Sequence, residues 1–288
     1  MTSAVGRHVA PPKFRRRAQR AAIHFVLVCG ACVVLLPLAW MVSTSLKDLG
    51  DVFLFPPKWI PTPPRWSNYH EALTSLPFGV FFRNTAFYTG ACIAGQLVTV
   101  SLVGFSFARL RWRGRDIVFM VLLATMMLPG QVTMIPRFLI FRSLGWINTF
   151  LPLIVPSWIG GGAFYIFLMR QFLRTIPLEM DEAARIDGCS NFRIYWQIVM
   201  PQVKAPLIAV AIFSFQGHWN DFMGPLIYLH TTDRYTVSLG LRMFQGEFGT
   251  EWHLMMAASV VAMLPILMLF FLAQRYFIQG VVFTGLKA

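Results

Sequence analysis

The chain has 288 residues, 56% of them hydrophobic and only 13% charged, with a formal net charge of +13 and a mean hydropathy of +0.59. Soluble domains carry charge on about a quarter of their residues, so the composition excludes an ordinary water-soluble domain and indicates a polytopic membrane protein. The positive charge is not a nucleic-acid footprint, because the basic residues cluster between apolar segments, where they set topology.

The first twenty residues carry Arg7, Lys13, Arg15, Arg16, Arg17 and Arg20, and an apolar stretch follows from Ile23 to Val42. It is too long for a secretory signal and has no small-residue cleavage site after it, so it reads as a retained span. The expected division is a basic cytoplasmic tail, 1–21, and a membrane domain, 22–288. Cys29 and Cys32 form a CxxC, but they lie mid-helix with no second pair to complete a metal site. They read as small packing residues, and no metal site is expected.

Six segments reach the ~20 helical residues needed to cross the hydrocarbon: 22–46, 85–107, 117–136, 149–169, 206–230 and 255–277. Unpaired backbone is not tolerated in lipid, so each is expected to be helical. Pro37, Pro129-Gly130 and Gly160-Gly161-Gly162 are mild interruptions. With the N-terminus inside, 17 of the 25 Lys and Arg fall on the cytoplasmic side, as the positive-inside rule demands. The expected fold is all-α: six transmembrane helices, both termini cytoplasmic, and a cytoplasmic elbow between spans 4 and 5. "ARLRWRGRD" (Ala108–Asp116), the densest basic turn, reads as a topology anchor, without the length or aromatic interleaving of a nucleic-acid site. The outer "FPPKWIPTPPRWSNYH" is held extended by its prolines, and its Trp59 and Trp66 suit the interfacial belt.

Residues 170–205 break the apolar pattern. Pro177 suits a helix start, and Glu179, Asp181 and Glu182 complement the positive end of the helix dipole. Gly188 is placed to stop that helix in a left-handed cap. Ser190 or Asn191 can cap a second helix, with Phe192, Tyr195, Trp196 and Val199 on one face before Pro201 ends it. Three readings compete: a dock for a soluble partner, an amphipathic hairpin on the headgroups, or a plain helical loop. Three acids in one turn disfavour an anionic membrane surface.

The stretch from Glu182 to Pro201 resembles the EAA loop of ABC-importer permeases: Glu182-Ala183-Ala184, three residues, Gly188, nine residues, Ile198, one residue, then Met200-Pro201, with Met where the family usually has Leu. "MLPGQVTMIPRFLIF…LGWINTFLPLIV" (Met127–Val155), "FSFQGHWNDFMGPLIYL" (Phe213–Leu229), "SLK" (Ser45–Lys47) and the final "FIQGVVFTGLKA" are similar to carbohydrate-uptake permeases of the maltose-importer type. The resemblance implies that the loop is a coupling helix seated on a cytoplasmic ATPase subunit. Glu182 would pair with a basic residue there, Ala183 and Ala184 would fit against its surface, and Gly188 would set the bend. It also implies two ATPase copies holding ATP-Mg, a second permease subunit and an extracytoplasmic solute-binding protein that meets the 231–254 segment.

"QGHWNDF" (Gln216–Phe222) places polar groups within the fifth segment. Gln216, Trp219 and Asn220 share a face by their i, i+3, i+4 spacing. At 1.5 Å per residue from Pro206, Asn220 lies ~21 Å deep. Such groups line a pathway or bond neighbouring helices, and an aromatic face with amides suits sugar hydroxyls. Asp221 and His218 read as a structural pair rather than a proton relay. No HExxH, GxSxG or GxxxxGK[ST] occurs, so no catalytic residue is assigned, no cofactor is expected on this chain, and ATP falls to another one. A secondary transporter is the alternative, but neither an inverted repeat nor a set of intramembrane charges supports it.

Overall fold

The computed structural model describes residues 13–246 and 249–285. The first part of the basic tail and the last residues of "FIQGVVFTGLKA" lie outside the described residues. Thirteen α-helices lie among the described residues: α1 (Lys13–Ser45), α2 (Ser67–Thr74), α3 (Phe78–Arg109), α4 (Arg115–Thr125), α5 (Met134–Ser143), α6 (Leu151–Ile159), α7 (Ala163–Leu173), α8 (Glu179–Ile186), α9 (Asn191–Arg193), α10 (Lys204–Trp219), α11 (Met223–Tyr228), α12 (Val237–Arg242) and α13 (Trp252–Gly285). A π-helical turn, Ile194–Val199, continues α9. The one departure from an all-α plan is a two-residue antiparallel pair, β1 (Gln245–Gly246) with β2 (Gly249–Thr250).

Four stretches are long and apolar enough to cross a membrane: Gln19–Ser45, Phe78–Arg109, Leu151–Leu173 and Trp252–Gln274. They correspond to the first, second, fourth and sixth expected spans. The third and fifth differ from the expectation of unbroken helices. The third is split into α4 and α5 around Pro129-Gly130. The fifth ends at Trp219 and resumes as α11, while its other end meets Asn191–Val199 at an 84° bend.

Helix α3 organises the bundle. Half of its most apolar window is buried, whereas none of the window of α1 is. Small residues let its neighbours approach, as packing in lipid requires. A Cβ on Gly95 would lie 2.4 Å from the Trp158 ring, and one on Gly104 would lie 2.6 Å from Met169. Trp158 sits in that gap and donates from Nε1 to the Ala91 carbonyl at 3.0 Å. Between α6 and α7 the chain breaks at Gly161 and Gly162, with φ of 56° and 83°. Thr99 donates to the Trp158 carbonyl at 2.6 Å, satisfying a group that the break leaves without a helical partner.

Apolar residues form one cluster at the Arg109 end of α3, with α4, α7, the elbow and α10. Two more lie at its other end, one with α2, α12 and α13 and one with α5, α6 and α11. Cys29 and Cys32 are free and exposed on α1. They are therefore not packed within the chain as expected, because α1 touches the bundle mainly along α13.

Replacing Gly95 with valine should force the Trp158 ring from its seat and cost about 1–3 kcal/mol by overpacking. Thermal unfolding in detergent measures it, and an unchanged Tm would contradict the close approach of α6 to α3.

Candidate functional site: an elbow held on the end of α3

The first arm of the elbow is α8, whose exposed Glu179 and Glu182 lie in its first turn. It ends as the glycine predicts. Gly188 has φ of 79°, its N–H donates to the Arg185 carbonyl at 3.0 Å, and Cys189 N–H reaches back to Ala184 at 2.9 Å. That is the Schellman arrangement. Ser190 then caps the second arm, accepting from Arg193 N–H at 3.3 Å.

Two buried side-chain contacts fasten the arms to α3. Asp181 lies 3.7 Å from Arg109 at the end of α3, with both side chains at most 2% exposed. Arg109 also donates to the carbonyl of Ile176 at 2.9 Å and towards that of Pro177. On the second arm, the Tyr195 hydroxyl meets Ser101 at 2.8 Å, and its ring packs edge-on against Phe105. Sequence reasoning assigned Arg109 to topology and Asp181 to the helix dipole and so missed their pairing. The available signal was an acid in an elbow helix facing a basic turn.

The expected faces need two corrections. Ala184 does not face outward: it is 6% exposed and packs into the chain's own core. Phe192, Tyr195, Trp196 and Val199 do not share a face either. Tyr195 and Val199 are buried, whereas Phe192 is 70% and Trp196 62% exposed, because the π-helical turn changes the angular spacing from that of an α-helix. Glu182, Ala183, Gly188 and Pro201 are exposed and Ile198 is half-buried. The elbow therefore exposes the apolar side chains of Ile186 (87%) on its first arm and of Phe192 and Trp196 on its second, with the exposed Glu182 one turn before Ile186.

The break after α10 is also built differently from the expectation. Trp219 is buried, stacked on Phe215 and donating to the Ala262 carbonyl of α13 at 3.0 Å. It is thus turned away from Gln216 and Asn220, which are exposed, with Asn220 Nδ2 donating to the Gln216 carbonyl at 2.9 Å. The spacing places the three on one helical sector, but the pull of α13 on the indole divides it. His218 does not pair with Asp221. Its Nδ1 lies 2.7 Å from the Ser214 carbonyl, and its ring packs edge-on to Tyr88. Asp221 accepts from the Tyr88 hydroxyl at 3.0 Å and from Gly224 N–H at 3.1 Å, joining α3 to the start of α11. A Cβ on Gly224 would lie 2.6 Å from that carboxylate, so this turn admits only glycine without rearrangement.

Asparagines that sequence reasoning passed over brace the loops at the same end of α3. Asn148, at φ of 58°, accepts through Oδ1 from the backbone of His230 and Thr231. Asn84 donates to the carbonyls of Asp233 and Tyr235. Asn68 donates to those of Ser45 and Lys47, which accounts for the "SLK" and "NY" stretches lying together.

A multi-span helical bundle with a polar break in one span and a capped elbow outside it defines a membrane-embedded transport component. Residues 101–282 match the family of the binding-protein-dependent transport system inner membrane component, and the chain belongs to that family. It is the non-catalytic, membrane-spanning permease part of an importer. Among its relatives, the arabinooligosaccharides transport system permease protein AraQ of Halalkalibacterium halodurans is 30% identical over 85% of this chain and 86% of its own length. The sn-glycerol-3-phosphate transport system permease protein UgpE of Yersinia enterocolitica is 31% identical over 93% and 97%. In fold, the chain is similar to a component of a bacterial ABC transporter involved in the import of the acidic polysaccharide alginate, with a TM-score of 0.81 at 22% identity, covering 93% of this chain and all of that one.

Removing one partner of a buried ion pair strands the other charge, which costs about 3–5 kcal/mol. Asp181→Leu alone should lose that much, and Arg109→Met with Asp181→Leu should recover most of it. A double-mutant cycle on unfolding in detergent measures the difference, and additive losses would show that the two side chains do not interact.

Proposed function

We propose that the Glu182–Pro201 elbow is the seat of a separate ATP-binding subunit, and that this chain imports a sugar or sugar-like solute when ATP closes a pair of such subunits. The observation that carries the reading is the set of exposed apolar side chains, Ile186, Phe192 and Trp196, on an elbow that is itself pinned to a spanning helix. Exposed aromatics on a rigid mount suit a protein groove, and Glu182 beside them supplies a charge for a basic partner residue. In this reading Ala183 contacts the partner, Ala184 and Ile198 support the arms from within, Gly188 fixes the bend and Pro201 ends the second arm. ATP-Mg is held by the partner, and this chain needs no cofactor.

The solute class rests on the relatives, whose names give arabinooligosaccharides and sn-glycerol-3-phosphate, both polyhydroxylated. Gln216 and Asn220, exposed at the break in the fifth segment, offer amides of the kind that bind hydroxyl groups. Trp219 is withdrawn from that role and becomes a strut to α13. A second permease subunit would close the pathway, and an extracytoplasmic binding protein would deliver solute to the 231–254 side. The topology that fits is six crossings with both termini cytoplasmic, in a bacterial inner membrane. Four continuous spans and the bias of basic residues support it.

Co-expression with the genomic neighbours and purification in mild detergent tests the elbow. Ile186→Asp and Trp196→Asp should each weaken capture of the ATPase subunit roughly thirtyfold or more, as loss of an interface anchor does, while the second permease stays bound. Full ATPase capture by both folded variants would remove the elbow as the main dock.

A further inference from the structure

Beside the elbow, at the end of the bundle where α3 and α7 finish and α4 begins, lies a cavity of about 610 Å³. Six arginines line it, and they divide into two groups. Arg109, Arg115 and Arg170 are committed to the protein. Arg109 pairs with Asp181, Arg115 binds both carboxylate oxygens of Asp116, and Arg170 lies over the Phe119 ring, donates to the Phe107 carbonyl and reaches Asp116. The hydrogen bond from Arg115 holds the Asp116 carboxyl below the usual carboxylate range, so it stays charged and occupied.

Arg111, Arg174 and Arg185 also line the cavity, and all three are exposed. Their side chains make no hydrogen bond or ion pair among the described residues. Of the lining carboxylates, Asp181 is paired with Arg109 and Asp116 is held by Arg115 while also attracting Arg174, which leaves Glu182 and that shared Asp116 to oppose the three guanidinium groups. Topology anchoring accounts for basic residues at this level of the membrane. It does not account for three unpaired arginines, one each from the α3–α4 turn, the end of α7 and the elbow, opening onto one space. A guanidinium fork matches a tetrahedral oxyanion through paired N–H donors, and basic hollows between spanning helices at the headgroup level hold lipid phosphates.

We propose that this cavity binds a phosphate group, carried either by an anionic phospholipid headgroup or by a free phosphate-bearing solute. Because Arg185 belongs to the elbow while Arg111 and Arg174 belong to the bundle, an occupant bridges the two. The proposal is independent of the identity of the transported solute.

The test uses the full chain in detergent, with phosphatidylglycerol retention followed by native mass spectrometry and inorganic phosphate binding by titration calorimetry. Arg111→Gln combined with Arg174→Gln should weaken binding roughly 25-fold, about fivefold for each cation removed. The double lysine replacement should keep it within a few-fold. Should the glutamine double variant fail to fold, Arg185→Gln alone should still show the fivefold loss. Dependence on these arginines for phosphatidylglycerol alone assigns a lipid headgroup, and the same dependence for inorganic phosphate assigns a soluble anion. The proposal is overturned if neither ligand depends on them in folded variants, or if Arg142→Gln, which removes a cation outside the cavity, lowers retention equally.

Discussion

The arrangement depends on one buried electrostatic contact, Arg109 against Asp181. Burying two charges is expensive, and Arg109 offsets the cost only in part, by adding carbonyls of the turn that leads into α8. Hydrophobic residues at the two positions would hold the elbow at least as firmly, so the pair is better understood as fixing register than as adding stability. A guanidinium that must meet one carboxylate and the Ile176 carbonyl together leaves α8 few orientations. With Tyr195 docked on Ser101, both arms are tied to the same two turns of one helix.

The bundle obtains its shape from helix breaks, each of which frees backbone groups that water cannot reach. The chain satisfies them with short side chains aimed from α3: Thr99 at the α6–α7 break, and Tyr88 through Asp221 at the start of α11. Polar residues in the α3 span are therefore not evidence of a solute path by themselves. Thr99, Asn84 and Tyr88 have partners that explain them, whereas the buried Thr89 hydroxyl and Gln96 side-chain carbonyl oxygen have none among the described residues. The exposed amides of Gln216 and Asn220 have no such partner beyond their own helix among the described residues.

What could be read from the residues alone follows from how local each determinant is. The elbow was legible in detail because caps are written in adjacent residues: the acids of α8, Gly188 for the left-handed stop and Ser190 for the next start. The long spans were legible from length and hydropathy. The faces were not. Trp219 was grouped with Gln216 and Asn220 by helical periodicity and Ala184 was placed outward by the family resemblance, but neither says which neighbour claims a side chain. The π-helical turn at Ile194–Val199 likewise separated Trp196 from Tyr195 and Val199, which α-helical spacing does not anticipate. Arg109–Asp181 and Tyr88–Asp221 were invisible because each joins residues more than 70 positions apart, and a single sequence carries no record of such pairs.

These attachments also determine where a displacement of the elbow can go. Helix α3 runs 32 residues without a proline, about 48 Å at 1.5 Å per residue, with Arg109 and Ser101 held by the elbow towards one end and Asn84 and Tyr88 holding the Asp233–Tyr235 loop and the α10–α11 break towards the other. A force on α8 therefore enters a continuous rod rather than a chain of loops, and the rod cannot bend without losing hydrogen bonds that lipid will not replace. The compliant points include Gly161-Gly162 and Asn220–Phe222, besides the α4–α5 break and the 84° bend before Lys204, where the backbone is already out of α-helical geometry. Relative motion of the elbow and the Gln216 and Asn220 amides can be absorbed at the first two of these places. Both lie beside side chains of α3 that fill the break, so rotation of α3 and rearrangement of the breaks are coupled by contact rather than by distance.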